Sequence, residues 1–325
     1  MNTRNGGDGY ANVLLRDGEA WLQYAARLTV LQEDPSSLTG LHDRALADPK
    51  IRALLRDSAD FHGTLVTSHK NAGLPIHKLL FLLDLGFGME VPEISDAVRA
   101  ILAHKDEKGV YQSKINIPQH FGGSGEDTFG WALCDAPLLL LALVKAGVDY
   151  DTHIRQGVEY LLGFFARDGF PCVVSKELGT FRGPGKKSDN CPYTSLIMLK
   201  LLSDIPAYRD SETAKSLAFG LLSLWERSLE VHPYMFYMGT DFRKLKAPAL
   251  WYDIVSMTDV LSRFDYVRSD ARFREMTAII RDKQREDGLF VPESVYQKFK
   301  GWDFGQKKQP SLYLTFLCRR ILGRE

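Results

Sequence analysis

The sequence predicts an all-α protein in which about six helical hairpins close into an α/α toroid, with an inner and an outer ring of helices. Three observations lead to this prediction. Helices of two kinds alternate along the chain. Prolines recur near the starts of one kind, and glycines followed by an aromatic residue recur at a similar period. A period of about 60 residues is typical of a helical-repeat protein.

The two kinds of helix differ in how much of their surface is apolar. In the segment 94–104, apolar residues recur every three or four positions, which predicts a helix with one face in water. The segments 79–85, 138–144 and 196–202 are apolar nearly all round, which is typical of helices with protein on most sides. Alternating β-branched runs are scarce, so little sheet is expected.

The apolar helices share a proline at or near the first turn, where its missing N–H costs no hydrogen bond. Their spacing is 55 to 62 residues, at Pro75, Pro137, Pro192, Pro248 and Pro310. The segment 17–31 is expected to supply a first apolar helix without a proline. The glycines are expected to cap the ends of amphipathic helices; they are Gly109, Gly169 and Gly288.

Closure into a ring is favoured over an open solenoid of the HEAT type. An open solenoid leaves the inner face of its helices in water, whereas these helices are apolar all round. We expect residues 11–325 to form one such domain. Residues 1–10, which are polar and glycine-rich, are expected to form a flexible N-terminal tail.

Composition narrows the class of protein. Forty-one basic and 41 acidic residues give a formal net charge of zero, which argues against a nucleic-acid partner. A hydrophobic fraction of 45% predicts a folded chain. The four cysteines are too few for a disulfide scaffold, and the first ten residues do not resemble a signal peptide. The longest apolar run is shorter than the roughly 20 residues of a membrane span, so we expect a cytoplasmic protein without a transmembrane segment.

In a closed ring the N-termini of the inner helices gather at one mouth, where their free N–H groups favour anions. Cys134 and Asp135 precede one inner helix, and Asp189 and Cys191 precede the next. Basic residues precede three inner helices, among them Lys246 before Pro248. These patterns predict a site for an anionic group at the mouth. Helix N-caps, small packing residues and solvated loop charges are the alternative interpretations.

The repeat, which covers about residues 70–325, resembles the terpenoid cyclase and protein prenyltransferase superfamily of α/α toroids. The segment 181–194, Phe-Arg-Gly-Pro-Gly-Lys-Lys-Ser-Asp-Asn-Cys-Pro-Tyr-Thr, is similar to the G-R-x-x-K-x-x-D-x-C-Y-S stretch of prenyltransferase β-subunits. This resemblance implies zinc ligation by Asp189 and Cys191, with Arg182 and Lys186 near a diphosphate. The segment 130–134 resembles the start of another inner helix in that family.

The chain departs from the family at two points. The third zinc ligand of the family is a histidine where this chain has Gln309, Pro310 and Ser311, so the implied zinc site is incomplete. The D-x-D-D acid of squalene-type cyclases is reduced to Glu126 and Asp127. No metal or other cofactor is therefore required, although zinc remains an option.

The candidate catalytic residues are the acids and thiols before the inner helices. Asp135 and Asp189 are the expected acid/base groups, because a carboxyl beside an apolar pocket has a raised pKa. The full catalytic set is Asp189, Asp135, Asp127, Cys191 and Cys134. The basic residues would hold an anionic group, and the aromatics near the inner-helix starts would line a pocket and stabilise a carbocation. These substrate-binding candidates are Arg182, Lys186, Lys187, Lys246, His120, Trp131, Tyr193, Trp251, Tyr252 and Tyr313.

Three functions are compatible with this reading. The first is a terpenoid cyclase- or prenyltransferase-like enzyme (a lyase, isomerase or transferase). It would use acid/base chemistry on a largely apolar, isoprenoid or anionic small molecule in the central cavity. The second is a non-catalytic toroid that binds a peptide or protein. The third is a carbohydrate-active α/α toroid, a lyase or hydrolase. The sequence assigns no oligomeric state.

Overall fold

The computed structural model describes residues 7–325, with side chains from residue 12 onward. About half of the chain is helical, in fifteen α-helices with one two-stranded sheet among the described residues, which confirms the all-α prediction. Residues 1–6 of the expected tail lie outside the described residues, and the chain enters its first helix at Gly7. No helix within 7–325 has the length and apolar character needed to cross a membrane.

The helices vary from one turn to four. In chain order they are α1 Gly7–Asp17, α2 Ala20–Thr29, α3 Thr39–Leu46, α4 Pro49–Ala59, α5 Pro75–Asp84, α6 Pro92–Leu102, α7 Ala136–Lys145, α8 Arg155–Leu162, α9 Pro192–Ser203, α10 Pro206–Arg209, α11 Glu212–Glu226, α12 Ile254–Leu261, α13 Asp265–Arg268, α14 Ala271–Arg281 and α15 Leu312–Leu322. Strands β1 Ser113–Ile115 and β2 Thr128–Gly130 pair antiparallel, with Lys114 opposite Phe129.

Five helices form the core of the fold. Helices α5, α7, α9, α12 and α15 are buried along most of their length, and each packs against the next in this order. Aromatic rings join the last of them to the first: the ring centroids of Phe81 in α5 and Tyr313 in α15 are 5.3 Å apart. Trp21 in α2 contacts both rings, at 6.2 and 5.6 Å. The five buried helices therefore surround a common centre.

The amphipathic helices cover these five from outside. Helix α4 packs on α5 and α6, α6 also packs on α7, α11 packs on α9 and α14, and α14 packs on α12 and α15. In α6 the predicted apolar stripe is the buried face, formed by Ile94, Ala97, Val98 and Ile101. The alternation of the two helix kinds in the sequence thus corresponds to buried helices and to helices that pack on them.

Local signals at the helix starts are mostly confirmed. Pro75 and Pro192 occupy the first position of α5 and α9, and Pro137 the second position of α7. The prediction for Pro248 is wrong, because the helix begins six residues later, at Ile254. Asp253 caps that helix instead, and the Ala247–Pro248 peptide bond is cis within the preceding loop.

The recurring glycines do not cap helices, so that prediction is wrong. Gly109, Gly169 and Gly288 each close a tight turn by donating the backbone N–H to the carbonyl three residues earlier. Gly109 and Gly288 have φ of 83° and 81°, values that glycine adopts without the cost of a Cβ clash. The aromatic residue after each turn is fully buried, at Tyr111, Phe170 and Phe290. The repeated signal therefore marks a turn that inserts an aromatic anchor into the core.

Candidate functional site

The buried helices enclose a small central cavity. Its walls come from α5, α7, α9, α12, α15 and the loop residues 248–251. The volume is about 30 Å³. Since one water needs roughly 10–15 Å³ on this measure, the cavity holds no more than a few water-sized groups. An apolar chain of any length would enter only if the walls moved.

Asp135 lies at the N-terminal end of α7 and is 3% exposed. Its Oδ1 accepts a hydrogen bond from the Ala132 N–H at 2.9 Å, and its Oδ2 has no hydrogen-bond partner. Burial raises the pKa of Asp135 to about 7, although the Ala132 amide and the nearby Ser113 hydroxyl oppose the shift. The side chain makes no hydrogen bond to the amides of α7, so it does not act as a helix cap. The carboxyl therefore exchanges its proton near neutral pH.

Asp253 is a second buried carboxyl, at the N-terminal end of α12. Its Oδ1 accepts a hydrogen bond from the Ser256 N–H at 2.8 Å, and its Oδ2 has no partner. Burial raises the pKa of Asp253 to about 6, against the two hydrogen-bonding effects of Ser256 and the charge of Lys246. The sequence prediction misses this residue because it starts the helix at Pro248. An aspartate directly before an apolar run is an N-cap signal that would have located it.

The pKa values of two buried tyrosines respond to the charges of these carboxyls. Tyr193 begins α9, between the starts of α7 and α12, and its hydroxyl is buried without a partner. Burial raises the pKa of Tyr193 well above its usual value, and the charges of Cys134 and Asp135 contribute. Burial likewise raises the pKa of Tyr296, with contributions from Asp253 and Tyr193. The charge of Asp135 thus acts on Tyr193, and the charge of Asp253 acts on Tyr296.

An aromatic wall lies beside Tyr193. The ring centroids of Tyr193 and Trp251 are 3.9 Å apart, and Trp251 also lines the central cavity. Phe236 packs against Trp251 at 5.9 Å and Tyr252 at 4.9 Å. Trp251 and Tyr252 precede α12, so they lie in a loop and not in the first helical turn as expected. The loop therefore supplies one side of the site.

Lys246 is the predicted basic residue that belongs to this site. Its Nζ lies 3.5 Å from the centroid of the Tyr296 ring, and the side chain is half-buried. Burial lowers the pKa of Lys246, while Asp253 is the main opposing charge. The charge of this cation thus acts on one of the two buried carboxyls.

His77 is a polar residue of the cavity wall that carries no role in the sequence prediction. Its Nε2 lies 3.0 Å from the backbone oxygen of His69. Burial lowers the pKa of both imidazoles to about 4, so both are neutral at pH 7. A neutral imidazole in the wall that Tyr193 and Trp251 also line offers a hydrogen-bonding group without a charge.

Asp189 lies apart from the buried carboxyls. It lines a surface groove of about 290 Å³, together with Arg167 and Arg227. Cys134 and Cys191 remain near Tyr193, and burial raises the pKa of both thiols. Among residues 12–325, no three His, Cys, Asp or Glu side chains are grouped to hold a metal ion. No third ligand is therefore grouped with Asp189 and Cys191 in this part of the chain.

The basic loop before α9 faces solvent. Arg182, Lys186 and Lys187 are exposed, and Tyr234 fastens their loop by donating its hydroxyl to the backbone oxygen of Lys186 at 3.4 Å. His120 is also exposed, with its ring 4.1 Å from that of Phe121. These residues form an outer rim and are not part of the buried site.

Three further candidates have distinct positions. Trp131 is buried against outer helix α8, and its Nε1 donates to Asp106 at 2.8 Å. Tyr313 lies in the first turn of α15 and lines the central cavity. Asp127 is exposed; hydrogen bonds from Asn116 and Lys114 lower its pKa. An ionised surface carboxylate of this kind is not a proton donor at neutral pH.

Comparison with protein-family models and with curated proteins finds no match for this chain. Function must therefore be inferred from the site. The site contains two buried carboxyls whose pKa values lie near neutrality, the buried Tyr193 and Tyr296, and an aromatic wall. Such groups suit proton transfer to and from an apolar substrate.

Proposed function

We propose that the protein is an acid/base enzyme of the α/α-toroid class with terpenoid cyclase-like chemistry on a largely apolar substrate. The toroid is supported by the order of contacts from α5 through α15 and by the aromatic contacts that join α15 to α5. The observation that carries the proposed activity is Asp135, a buried carboxyl with a pKa of about 7 and a free oxygen.

In this proposal Asp135 donates a proton to a carbon–carbon double bond. The positive charge that forms on carbon is stabilised by the faces of Tyr193 and Trp251. Asp253 is largely ionised above pH 6 and removes a proton from a neighbouring carbon, which restores a double bond. Asp135 acts as the acid and Asp253 as the base because the pKa of Asp135 is the higher of the two. The loop that carries Trp251 has to move to admit substrate.

Solvent deuterium provides a test that does not require the natural substrate. The purified full chain is incubated in D₂O with farnesol, geranylgeraniol or squalene, and mass spectrometry measures deuterium bound to carbon. We expect incorporation with a bell-shaped pH dependence whose limbs lie near 6 and 7. Asp135→Asn should reduce the rate by about 10²–10⁴-fold.

Asp127→Asn is the matched control, because it makes the same substitution at an exposed carboxylate. It should retain the rate of the parent protein. Equal incorporation by Asp135→Asn and the parent protein would show that Asp135 is not the acid.

A non-catalytic binding protein is the second candidate. The small volume of the central cavity favours this candidate, since about 30 Å³ leaves little room for a reacting molecule. This candidate predicts no deuterium incorporation by the parent protein from any of the three compounds, at any pH between 5 and 8.

A further inference from the structure

Charged side chains gather where the buried helices end, opposite Asp135 and Asp253. Asp84 and Lys145 are the last residues of α5 and α7, and Asp204 directly follows α9. The cluster contains three carboxylates and five cations. They are Asp84, Asp204 and Asp259 with Lys145, Lys200, Arg263, Arg320 and Arg324.

The carboxylates of this cluster are already paired. Asp84 lies 3.0 Å from the Lys145 ammonium, and Asp204 lies 3.1 Å from Arg263. Asp259, which is almost fully buried, is shared by three arginines: its oxygens lie 2.8 Å from Arg263, 2.9 Å from Arg320 and 3.3 Å from Arg324. Five cations against three carboxylates leave two positive charges uncompensated.

Lys200 carries one of these charges. It is partly buried and lines the central cavity, and within the described part of the chain its ammonium takes part in no ion pair or hydrogen bond. Burial is the main cause that lowers the pKa of Lys200. Asp84 and Asp259 oppose this shift, whereas Arg263 and Lys145 add to it.

Arg320 also lines the central cavity. Its Nη2 donates to Asp259, but its buried Nε has no partner. The crowding extends to Arg324, where burial, reinforced by the charges of Arg320 and Arg263, lowers the pKa to about 10. Helix C-termini attract cations in general. They do not supply the acceptors that Lys200 Nζ and Arg320 Nε lack.

We propose that Lys200 and Arg320 bind a small oxyanion, a carboxylate or phosphate group, at this end of the central cavity. The planar guanidinium and the ammonium are the donors that proteins use for oxyanions. The space of about 30 Å³ suits one such group and excludes a diphosphate. Apolar side chains, including Phe81 and Leu196, line the same cavity, so the group can be the head of a larger apolar molecule if the walls move to admit the rest of it. The site does not depend on the proposed acid/base activity.

Binding to the full chain tests the site directly. Acetate, hexanoate and phosphate are titrated at constant ionic strength, with calorimetry for affinity and thermal unfolding as a second readout. We expect saturable binding. Lys200→Met, which removes the charge with little change of shape, should weaken it about 10- to 100-fold, the effect of losing one hydrogen bond to a charged group. Lys176→Met, at an exposed position, is the control and should bind as the parent does.

The three ligands distinguish the sources of the oxyanion. Tighter binding of hexanoate than of acetate identifies the head group of an apolar ligand, and equal binding of all three identifies a free ion. Without any oxyanion, Lys200→Met should unfold at a higher temperature than the parent, because it removes an unpaired, partly buried charge from among other cations. Lys200→Gln is the second variant. Like Lys200→Met, it should bind oxyanions more weakly than the parent and unfold at a higher temperature without them.

Two results would overturn the proposal: no saturable binding by the parent protein, or unchanged affinity in both Lys200 variants. Either result leaves the deuterium experiment on Asp135 unaffected, so the two proposals can fail separately.

Discussion

Buried aspartates behave in opposite ways at the two ends of the inner helices. At the N-terminal end, burial raises the pKa of Asp135 to about 7 and that of Asp253 to about 6. At the C-terminal end, burial acts in the same direction, but the charges of Lys145 and its neighbours outweigh it and lower the pKa of Asp84 to about 2. Burial alone therefore does not decide the charge of an aspartate. The presence of a paired cation does.

The difference also separates two roles. The paired carboxylates are held in fixed ion pairs and stabilise the fold only as long as their cations remain. The unpaired carboxyls keep one free oxygen and titrate near neutral pH, which are the properties of acid/base groups. The comparison predicts that substitutions at the two ends affect different observables.

The largest effect is expected for Asp259→Asn, because it removes the shared partner of three arginines. Leaving buried cations without their carboxylate should lower the free energy of unfolding by about 3–5 kcal/mol. Urea unfolding measures this. Asp127→Asn, at an exposed ion pair with Lys114, should leave the unfolding midpoint close to that of the parent. A loss in Asp259→Asn no greater than in Asp127→Asn would contradict the assigned stabilising role.

The next effect concerns pH. The pKa of Asp135 is higher in the folded protein than in the unfolded chain, so the folded state binds the proton more tightly and this contribution to stability is lost as pH rises from about 4 to 7. His69 and His77 have lowered pKa values and contribute in the opposite direction. The informative quantity is therefore the difference in the free energy of unfolding between Asp135→Asn and the parent.

Between pH 4 and pH 7, the free energy of unfolding of Asp135→Asn should rise relative to that of the parent by on the order of 4 kcal/mol. This figure corresponds to about three pKa units. Urea unfolding at a series of pH values measures it. A difference independent of pH would mean that Asp135 has an ordinary pKa in the folded protein.

A smaller effect is expected for Lys246→Met, which removes a cation whose charge acts on Asp253. Since the charge of Lys246 lowers the pKa of Asp253, its loss should raise that pKa above 6, by roughly one unit. Carbon-13 NMR of the aspartate carboxyls follows the titration. Lys187→Met provides an exposed control that should leave the curve of Asp253 unchanged.

The all-α class, the two kinds of helix and most helix starts could be predicted because they depend on local patterns. The apolar stripe of α6 and the prolines of α5 and α9 are read from neighbouring residues alone. Asp135 was also found, since it directly precedes a helix. Asp253 was not, because the chain after Pro248 continues as a loop for five more residues before α12 begins.

The cation cluster was beyond local prediction for a physical reason. Lys145, Lys200 and Arg320 each lie near the end of a different helix, where a basic residue is ordinary. Only the packing of α7, α9 and α15 around one centre brings them together. The sequence placed the anion site in the exposed loop of Lys186 and Lys187, where basic residues are adjacent in the chain.

The contact of Trp21 with Phe81 and Tyr313 joins the N-terminal region to the last helix across nearly the whole chain. In a linear array of repeats, terminal units can fray or be lost while the rest remains folded. In the proposed toroid, a seam between the first and last hairpins removes that option, because no unit is terminal. Loss of α2 should then weaken the fold as a whole, and the number of hairpins cannot change by one without reopening the seam. Folding has to bring distant ends together, which is typical of slow, highly cooperative folding.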